Sequence, residues 1–207
     1  MKTYCFIICS IFISNVVAFA QTHKAATASA YKKIPDSLRY KEKLIKYVKP
    51  DKNYTYWEFD EGEMDTTKSG HVIFSSGTKP EGIVIKDPQG SLFAGCLPAF
   101  CYKYIAYVYN GKVGYITSNI DFISFMGSID NLQEAILLAQ ILDDVYPDTD
   151  KRGAGYLITP AGYRLVLTKY NLCPESKQAI KITIDTKGII KKEPGVVFYK
   201  TTGCAVI

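Results

Sequence analysis

The stretch YKYIAYVYNGKVGYIT, residues 102–117, decides the fold of this chain. The dipeptide Asn110-Gly111 lies inside it and accepts the positive backbone φ angles of a tight type I′ turn, so residues 102–109 and 112–117 are predicted to pair as a β-hairpin. Both faces of the first strand carry large apolar side chains, because aromatic and aliphatic residues occupy odd and even positions alike. A strand that is wholly polar on neither face is predicted to lie in the interior of a sheet.

Short apolar segments on both sides of this hairpin predict further strands, because they alternate or are bounded by Gly and Pro. They comprise residues 54–59, 71–74, 83–85, 163–170, 180–184 and 196–200. Between the last two, Asp185-Thr186-Lys187-Gly188 is typical of a hairpin loop with Gly at the position that needs a positive φ. The carboxyl-terminal part of the chain is therefore predicted to be an antiparallel meander.

Two segments are predicted to be helical. Apolar residues over 132–142 recur at helical spacing and form a broad surface, which indicates a helix that begins at Ser128 or Asp130 and is covered on more than one side. A second helix is predicted over 36–48, with Asp36 as its N-cap. Because strands precede and follow the buried helix without regular βαβ alternation, we predict the α+β class. The expected fold is an antiparallel sheet with one largely buried central helix and an N-terminal helix.

The first twenty residues have the pattern of a cleaved secretory signal peptide. Lys2 precedes an apolar run over residues 5–17, and the small-residue pattern Ala18-Phe19-Ala20 follows. Residues 21–33 are rich in Ala, Thr, Ser and Lys and are predicted to be a flexible leader. Residues 34–207 are expected to form a single α+β domain. We expect an extracytoplasmic protein, periplasmic or secreted, with no stable membrane span after signal cleavage.

Four of the six cysteines lie after the predicted cleavage point: Cys96, Cys101, Cys173 and Cys204. An even number in an oxidising compartment indicates two disulfides, for which three connectivities are possible. We favour Cys96 with Cys101, because this pair encloses a short loop that can turn back on itself. Cys173 with Cys204 would then join the two ends of the carboxyl-terminal strand group.

A dense acidic group contains five carboxylates: Glu58, Asp60, Glu61, Glu63 and Asp65. Oxygen-rich loops of this kind can bind Ca²⁺, although the spacing does not match that of an EF-hand. A solvated acidic turn is the simpler interpretation. A third interpretation is a pair of carboxylates that cleaves glycosides in a secreted hydrolase.

Catalytic side chains are otherwise scarce. His71 is the only histidine outside the predicted leader, and no motif of a nucleophilic hydrolase surrounds it. We therefore predict no catalytic residue and no cofactor. For His71 we predict a position at the end of a strand.

Tyrosine is abundant, and Tyr107, Tyr109 and Tyr115 of the hairpin are predicted to form a recognition surface for a protein or a glycan. Basic residues are scattered along a chain of net charge +5, so nucleic-acid binding is not expected. These observations favour a non-catalytic binding or accessory module, secreted or periplasmic, with two disulfides. The alternatives are a secreted hydrolase that uses residues 58–65, with or without calcium, and a metal-dependent structural module.

Overall fold

The computed structural model describes residues 30–63, 71–88, 90–94 and 101–205. Its strands are β1 (Lys32–Lys33), β2 (Tyr56–Glu63), β3 (His71–Gly77), β4 (Phe93–Ala94), β5 (Cys101–Tyr109), β6 (Lys112–Ile116), β7 (Ala154–Thr159), β8 (Gly162–Leu172), β9 (Glu175–Asp185) and β10 (Ile190–Lys200). Its α-helices are α1 (Lys41–Leu44), α2 (Asn119–Met126) and α3 (Leu132–Asp143). Short 3-10 turns lie at Asp36–Leu38, Ile45–Tyr47 and Lys151–Gly153.

The strands form two antiparallel sheets. The meander sheet has the order β1-β7-β8-β9-β10, so that its last four strands follow one another as predicted. The hairpin sheet has the order β3-β2-β5-β4, and β6 pairs with β5. The mixture of helices and antiparallel strands confirms the α+β class, although one sheet was expected and two are present.

The hairpin of residues 102–117 is present as β5 and β6. Tyr109 pairs with Lys112, and between them Asn110 and Gly111 have φ angles of 50° and 71°, in agreement with the predicted turn. β5 pairs with β2 on one side and with β4 and β6 on the other. Because both of its edges are hydrogen-bonded, β5 is an interior strand, which confirms that prediction.

One hydrophobic core lies between the sheets and the helices. Eight of the twelve residues of α3 are buried in it. The same cluster contains Trp57 and Phe59 from the hairpin sheet and Leu165 and Ile182 from the meander sheet. Each sheet therefore has one face on the core and one face turned away from it, and the functional groups have to be sought on the outer faces.

The amino terminus of α3 is fixed by a capping box. The Asn131 side chain accepts a hydrogen bond from the Glu134 N–H at 2.9 Å, and the Glu134 carboxylate accepts one from the Asn131 N–H at 3.3 Å. The same carboxylate accepts from the N–H groups of Asp130 at 2.7 Å and Lys49 at 2.8 Å. Glu134 is fully buried. Through its bond to the Lys49 N–H it also joins the segment before β2 to α3.

The continuous helix predicted over 36–48 is wrong. The segment contains only the four residues of α1 as α-helix, and Tyr40 before it has an extended backbone. Tertiary contacts account for the break: the Gln140 side chain donates to the Arg39 carbonyl at 3.2 Å, and Arg39 Nε donates to the Pro147 carbonyl at 3.1 Å. These contacts to distant parts of the chain outweigh a modest helical propensity. The predicted arrangement of one central and one N-terminal helix is therefore corrected to three α-helices of unequal length within the described residues.

Two further boundaries differ from the prediction. Residues 83–85 lie in an irregular connection and not in a strand, and Val84 is 71% exposed. Lys32 and Lys33, the end of the predicted leader, form β1 against Tyr156 and Gly155 of β7. The sheet thus begins before residue 34. The signal peptide of residues 1–20 and most of the leader lie outside the described residues and stay predictions.

The disulfide between Cys173 and Cys204 is present, with 31 residues of sequence separation. Cys173 lies in the turn between β8 and β9, and Cys204 follows β10, so the bond links the ends of the last two strands as predicted. The predicted disulfide between Cys96 and Cys101 stays a prediction, because Cys96 and the side chain of Cys101 lie outside what the structure describes.

Candidate functional site

Strand alternation divides the predicted acidic group between the two faces of the hairpin sheet. Glu58 and Asp60 lie on the outer face, because they alternate with the core residues of β2. Glu61 lies on the other face and forms an ion pair with the buried Lys103 at 3.2 Å. The residues from Glu58 to Glu61 therefore belong to a strand, and the solvated acidic turn is wrong for this part of the group.

The calcium prediction for the acidic group is not supported by a ligand set in the described part of the chain. There, no three His, Cys, Asp or Glu side chains are placed to share a metal ion. The side chain of Glu63 and the whole of Asp65 lie outside those ranges, so the prediction stays open. His71 is the first residue of β3, which is the strand-end position predicted for it.

An acid–tyrosine cluster occupies the outer face of the hairpin sheet and consists of Tyr56, Glu58, Asp60, Asp87 and Tyr104. Tyr56 Oη donates to Glu58 Oε2 at 2.5 Å, and Tyr104 Oη donates to Asp87 Oδ1 at 2.7 Å. Asp87 belongs to the irregular connection that follows β3. The Tyr104–Asp87 bond therefore joins this connection to the sheet, beside Glu58 and Asp60, which are 4% and 2% exposed.

Asp60 is the unusual member of the cluster. Neither of its carboxylate oxygens has a hydrogen-bond partner among the residues that the structure describes. Burial, followed by the negative charges of Glu58 and Asp87, raises the pKa of Asp60 to about 8, and Lys79 opposes this shift. Near neutral pH, Asp60 therefore carries a proton. Burial and the hydrogen bond to Glu58 also raise the pKa of Tyr56 to about 12.

A protonated carboxyl beside a carboxylate is a pairing that general acid–base catalysis uses. A substrate in solvent reaches Glu58 or Asp60 only if the connection after β3 moves, since both side chains are buried. The hydrolase alternative therefore stays a prediction.

The three tyrosines predicted as a recognition surface lie on two different faces. Tyr115 lies opposite an alanine of β5 on the face of the acid–tyrosine cluster, whereas Tyr107 lies opposite Gly114 on the other face. Tyr107 covers Gly114, where a Cβ would be 2.3 Å from its Cζ, and packs on Tyr54 with ring centroids 4.8 Å apart. Tyr109 also packs on Tyr54, at 5.6 Å. The structure does not bring the three together.

A basic cleft of about 1170 Å³ lies on the outer face of the meander sheet. Seven cationic side chains line it: Lys32, Lys33, Lys151, Arg152, Arg164, Lys181 and Lys191. Glu193 is the one carboxylate among the described lining residues, which leaves a formal charge of +6 in the cleft against +5 for the whole chain. The scattered distribution of charge expected from the sequence is therefore wrong.

Most of the cations in the basic cleft have no carboxylate partner among the residues that the structure describes. Lys33 pairs with Asp36 at 3.1 Å and Arg152 pairs with Asp150 at 2.5 Å. The other five cations take part in no ion pair within the described part of the chain. Unpaired like charges in a concave surface create a positive potential that attracts anions.

Strand pairing places the charged residues in rows across the basic cleft. In the order β8, β9, β10, one row is Arg164–Thr183–Lys191 and the next is Val166–Lys181–Glu193. Gly195 packs closely on the neighbouring strand, since a Cβ at this position would lie 2.7 Å from the Ala179 carbonyl oxygen.

Sequence reasoning missed the basic cleft because its cations lie far apart along the chain and converge only when five strands pair. One usable signal is the alternation that puts Lys181 and Thr183 on the polar face of β9. The register with β8 and β10 is also needed before Arg164 and Lys191 join them. Asp87 was missed for a different reason, because an irregular connection has no periodicity.

Comparison of the chain with protein-family models, with curated proteins and with solved structures finds no match. In the described ranges, no helix combines the length and the apolar character needed to cross a membrane.

Proposed function

We propose that the protein is an extracytoplasmic, non-catalytic binding module and that its basic cleft binds an anionic ligand. The observation that carries the proposal is the excess of seven cationic side chains over one carboxylate in one concave surface. The compartment is inferred from the signal-peptide pattern of residues 1–20. The Cys173–Cys204 disulfide supports it, because such bonds persist in oxidising surroundings.

The basic cleft has the chemistry and the rigidity that anion binding needs. Arg164, Lys181 and Lys191 are exposed and stand on three neighbouring strands, so backbone pairing sets their positions. Guanidinium and ammonium groups bind carboxylate, sulfate or phosphate through charge-assisted hydrogen bonds. Because the sheet is already ordered, little backbone entropy is lost on binding. This surface replaces the tyrosine surface in the proposal, and it narrows the expected protein or glycan partner to an anionic one.

The proposal is tested by comparing dextran sulfate with neutral dextran in isothermal titration calorimetry. We expect binding of dextran sulfate alone, with an affinity that falls as salt is added, because salt screens the attraction. The triple variant Arg164→Ala/Lys181→Ala/Lys191→Ala is expected to lose affinity by about tenfold or more.

A matched control removes the same charge elsewhere. Lys46→Ala/Lys112→Ala/Lys187→Ala changes three exposed lysines that do not line the basic cleft. We expect its affinity for dextran sulfate to stay within about twofold of the wild type. Equal losses in the two triple variants, or a wild type that does not bind dextran sulfate, would refute the proposal.

A further inference from the structure

Glu193 is the exception in the basic cleft. It lies on β10 opposite Lys181 of β9, it is exposed, and it faces the same side of the sheet as the cations. It forms no ion pair within the described part of the chain. A surface that recognises negative charge alone gains nothing from an acceptor of this kind. Glu193 therefore indicates a ligand that also presents hydrogen-bond donors.

Anionic polymers differ in the donors that they present. Polyphosphate and the backbone of DNA offer charged acceptor oxygens and no donors, so a carboxylate in the site repels them. A polymer of uronic acids offers a carboxylate and free hydroxyl groups on each sugar. The cations can bind the carboxylates of such a polymer while a glutamate accepts from the hydroxyl groups.

We propose, on the basis of the binding function above, that the ligand of the basic cleft is a linear acidic polysaccharide. Arg164, Lys181 and Lys191 bind its carboxylates, and Glu193 accepts hydrogen bonds from its hydroxyl groups. The rows of the sheet fit this assignment, since Arg164 and Lys191 flank Thr183 on strands that are spaced about 4.8 Å apart. A polymer that crosses the strands meets cationic and hydroxyl side chains in turn.

The lining also disfavours single-stranded nucleic acid. Proteins that bind it without sequence preference stack successive bases on aromatic side chains. Tyr31 is the one aromatic residue among the described residues of the lining, and it lies beside Gly155, where an added Cβ would be 3.4 Å from the Tyr31 Cβ. The other apolar side chains are aliphatic, as at Val166 and Val196. A ligand that is recognised through its charge and its hydroxyl groups fits this surface better than one that is recognised through stacked bases.

Reversing the charge of residue 193 is expected to strengthen the binding of one kind of ligand and to weaken the binding of the other. Glu193→Lys is expected to tighten the binding of inorganic polyphosphate by about three- to tenfold, because a repulsive charge becomes attractive. The same variant is expected to weaken the binding of oligogalacturonate, a uronic-acid polymer, by about threefold or more, because the hydroxyl acceptor is lost. Glu193→Gln keeps an acceptor oxygen and is expected to stay within about twofold of the wild type for oligogalacturonate.

Both ligands are measured by calorimetry at equal charge number, with Glu81→Lys as the control. Glu81 is exposed and lies in the connection after β3, outside the basic cleft, so the same change of charge there is expected to alter either affinity by less than about twofold. The triple variant of the proposed function is expected to lose oligogalacturonate binding.

Each other outcome decides against one of the two proposals. If Glu193→Lys tightens both ligands, the polysaccharide assignment fails and general anion binding remains. The same conclusion follows if the wild type binds polyphosphate, DNA or phosphatidylglycerol vesicles more tightly than oligogalacturonate of equal charge. If the wild type binds none of these polyanions, the proposed function fails as well.

Discussion

At the scale of single residues, Asp60 is a carboxylic acid buried where no hydrogen-bond donor of the described chain reaches it. Its pKa is raised from 3.8 to about 8 by burial and by the charges of Glu58 and Asp87. At pH values between 3.8 and about 8, the carboxyl group of Asp60 is deprotonated in the unfolded chain and protonated in the folded protein. The free energy of unfolding therefore falls as pH rises from about 4 to about 8, and it changes little with this group outside that window.

Asp60→Asn removes this titration and is expected to raise the free energy of unfolding by about 2 to 4 kcal/mol near pH 8, with little gain near pH 4. Urea unfolding at several pH values, followed through the fluorescence of the single tryptophan, Trp57, measures the difference. Glu81→Gln changes an exposed carboxylate and is expected to shift stability by less than about 0.5 kcal/mol. A gain from Asp60→Asn that is equal at the two ends of the pH range would contradict the shifted pKa.

At the scale of elements, the carboxylate of Glu134 is one of the groups that join α3 to the segment before β2. Glu134 accepts hydrogen bonds from the N–H groups of Lys49, Asp130 and Asn131, and it is fully buried. Glu134→Ala leaves three donors without an acceptor, and we expect it to lower the free energy of unfolding by about 3 kcal/mol. Hydrogen exchange is expected to show the Lys49 amide losing its protection.

Gln133→Ala is the matched control for Glu134→Ala, because Gln133 precedes Glu134 in the same helix and lies outside the capping box. It is expected to change the free energy of unfolding by less than about 0.5 kcal/mol. A Lys49 amide that stays protected in Glu134→Ala would show that the segment is held to α3 by other contacts.

Elements with a local signal are predicted from the sequence, and elements shaped by distant contacts are not. Asn110-Gly111 specifies its turn through its own backbone angles, so the hairpin follows from residues 102–117 alone. The segment 36–48 has a helical pattern, but its outcome depends on a hydrogen bond from Gln140 to Arg39, 101 residues apart. The candidate sites follow the same division, since the basic cleft requires the register of five strands and the burial of Asp60 requires the connection after β3.

At the scale of the whole molecule, the two sheets share one core and differ in the groups on their outer faces. The outer face of the hairpin sheet holds the buried acidic groups of Glu58 and Asp60, and that of the meander sheet holds the basic cleft. The positive potential of the basic cleft is expected to turn the meander sheet toward the anionic ligand proposed above. The sheet that carries the basic cleft is open at the end where β9 begins and β10 finishes.

The Cys173–Cys204 disulfide links the chain before β9 to the chain after β10 at this end of the meander sheet. Backbone hydrogen bonds from Glu175 N–H to the Gly203 carbonyl and from Ala205 N–H to the Leu172 carbonyl, both 2.8 Å, lie beside it. Because the bond closes a loop of 31 residues, the double variant Cys173→Ala/Cys204→Ala is expected to lose about 3 to 4 kcal/mol in the free energy of unfolding, measured by urea denaturation. Thr202→Ala, an exposed neighbour, is the control and is expected to lose less than about 0.5 kcal/mol. A double variant as stable as the wild type would show that the strand pairing alone orders this end of the sheet.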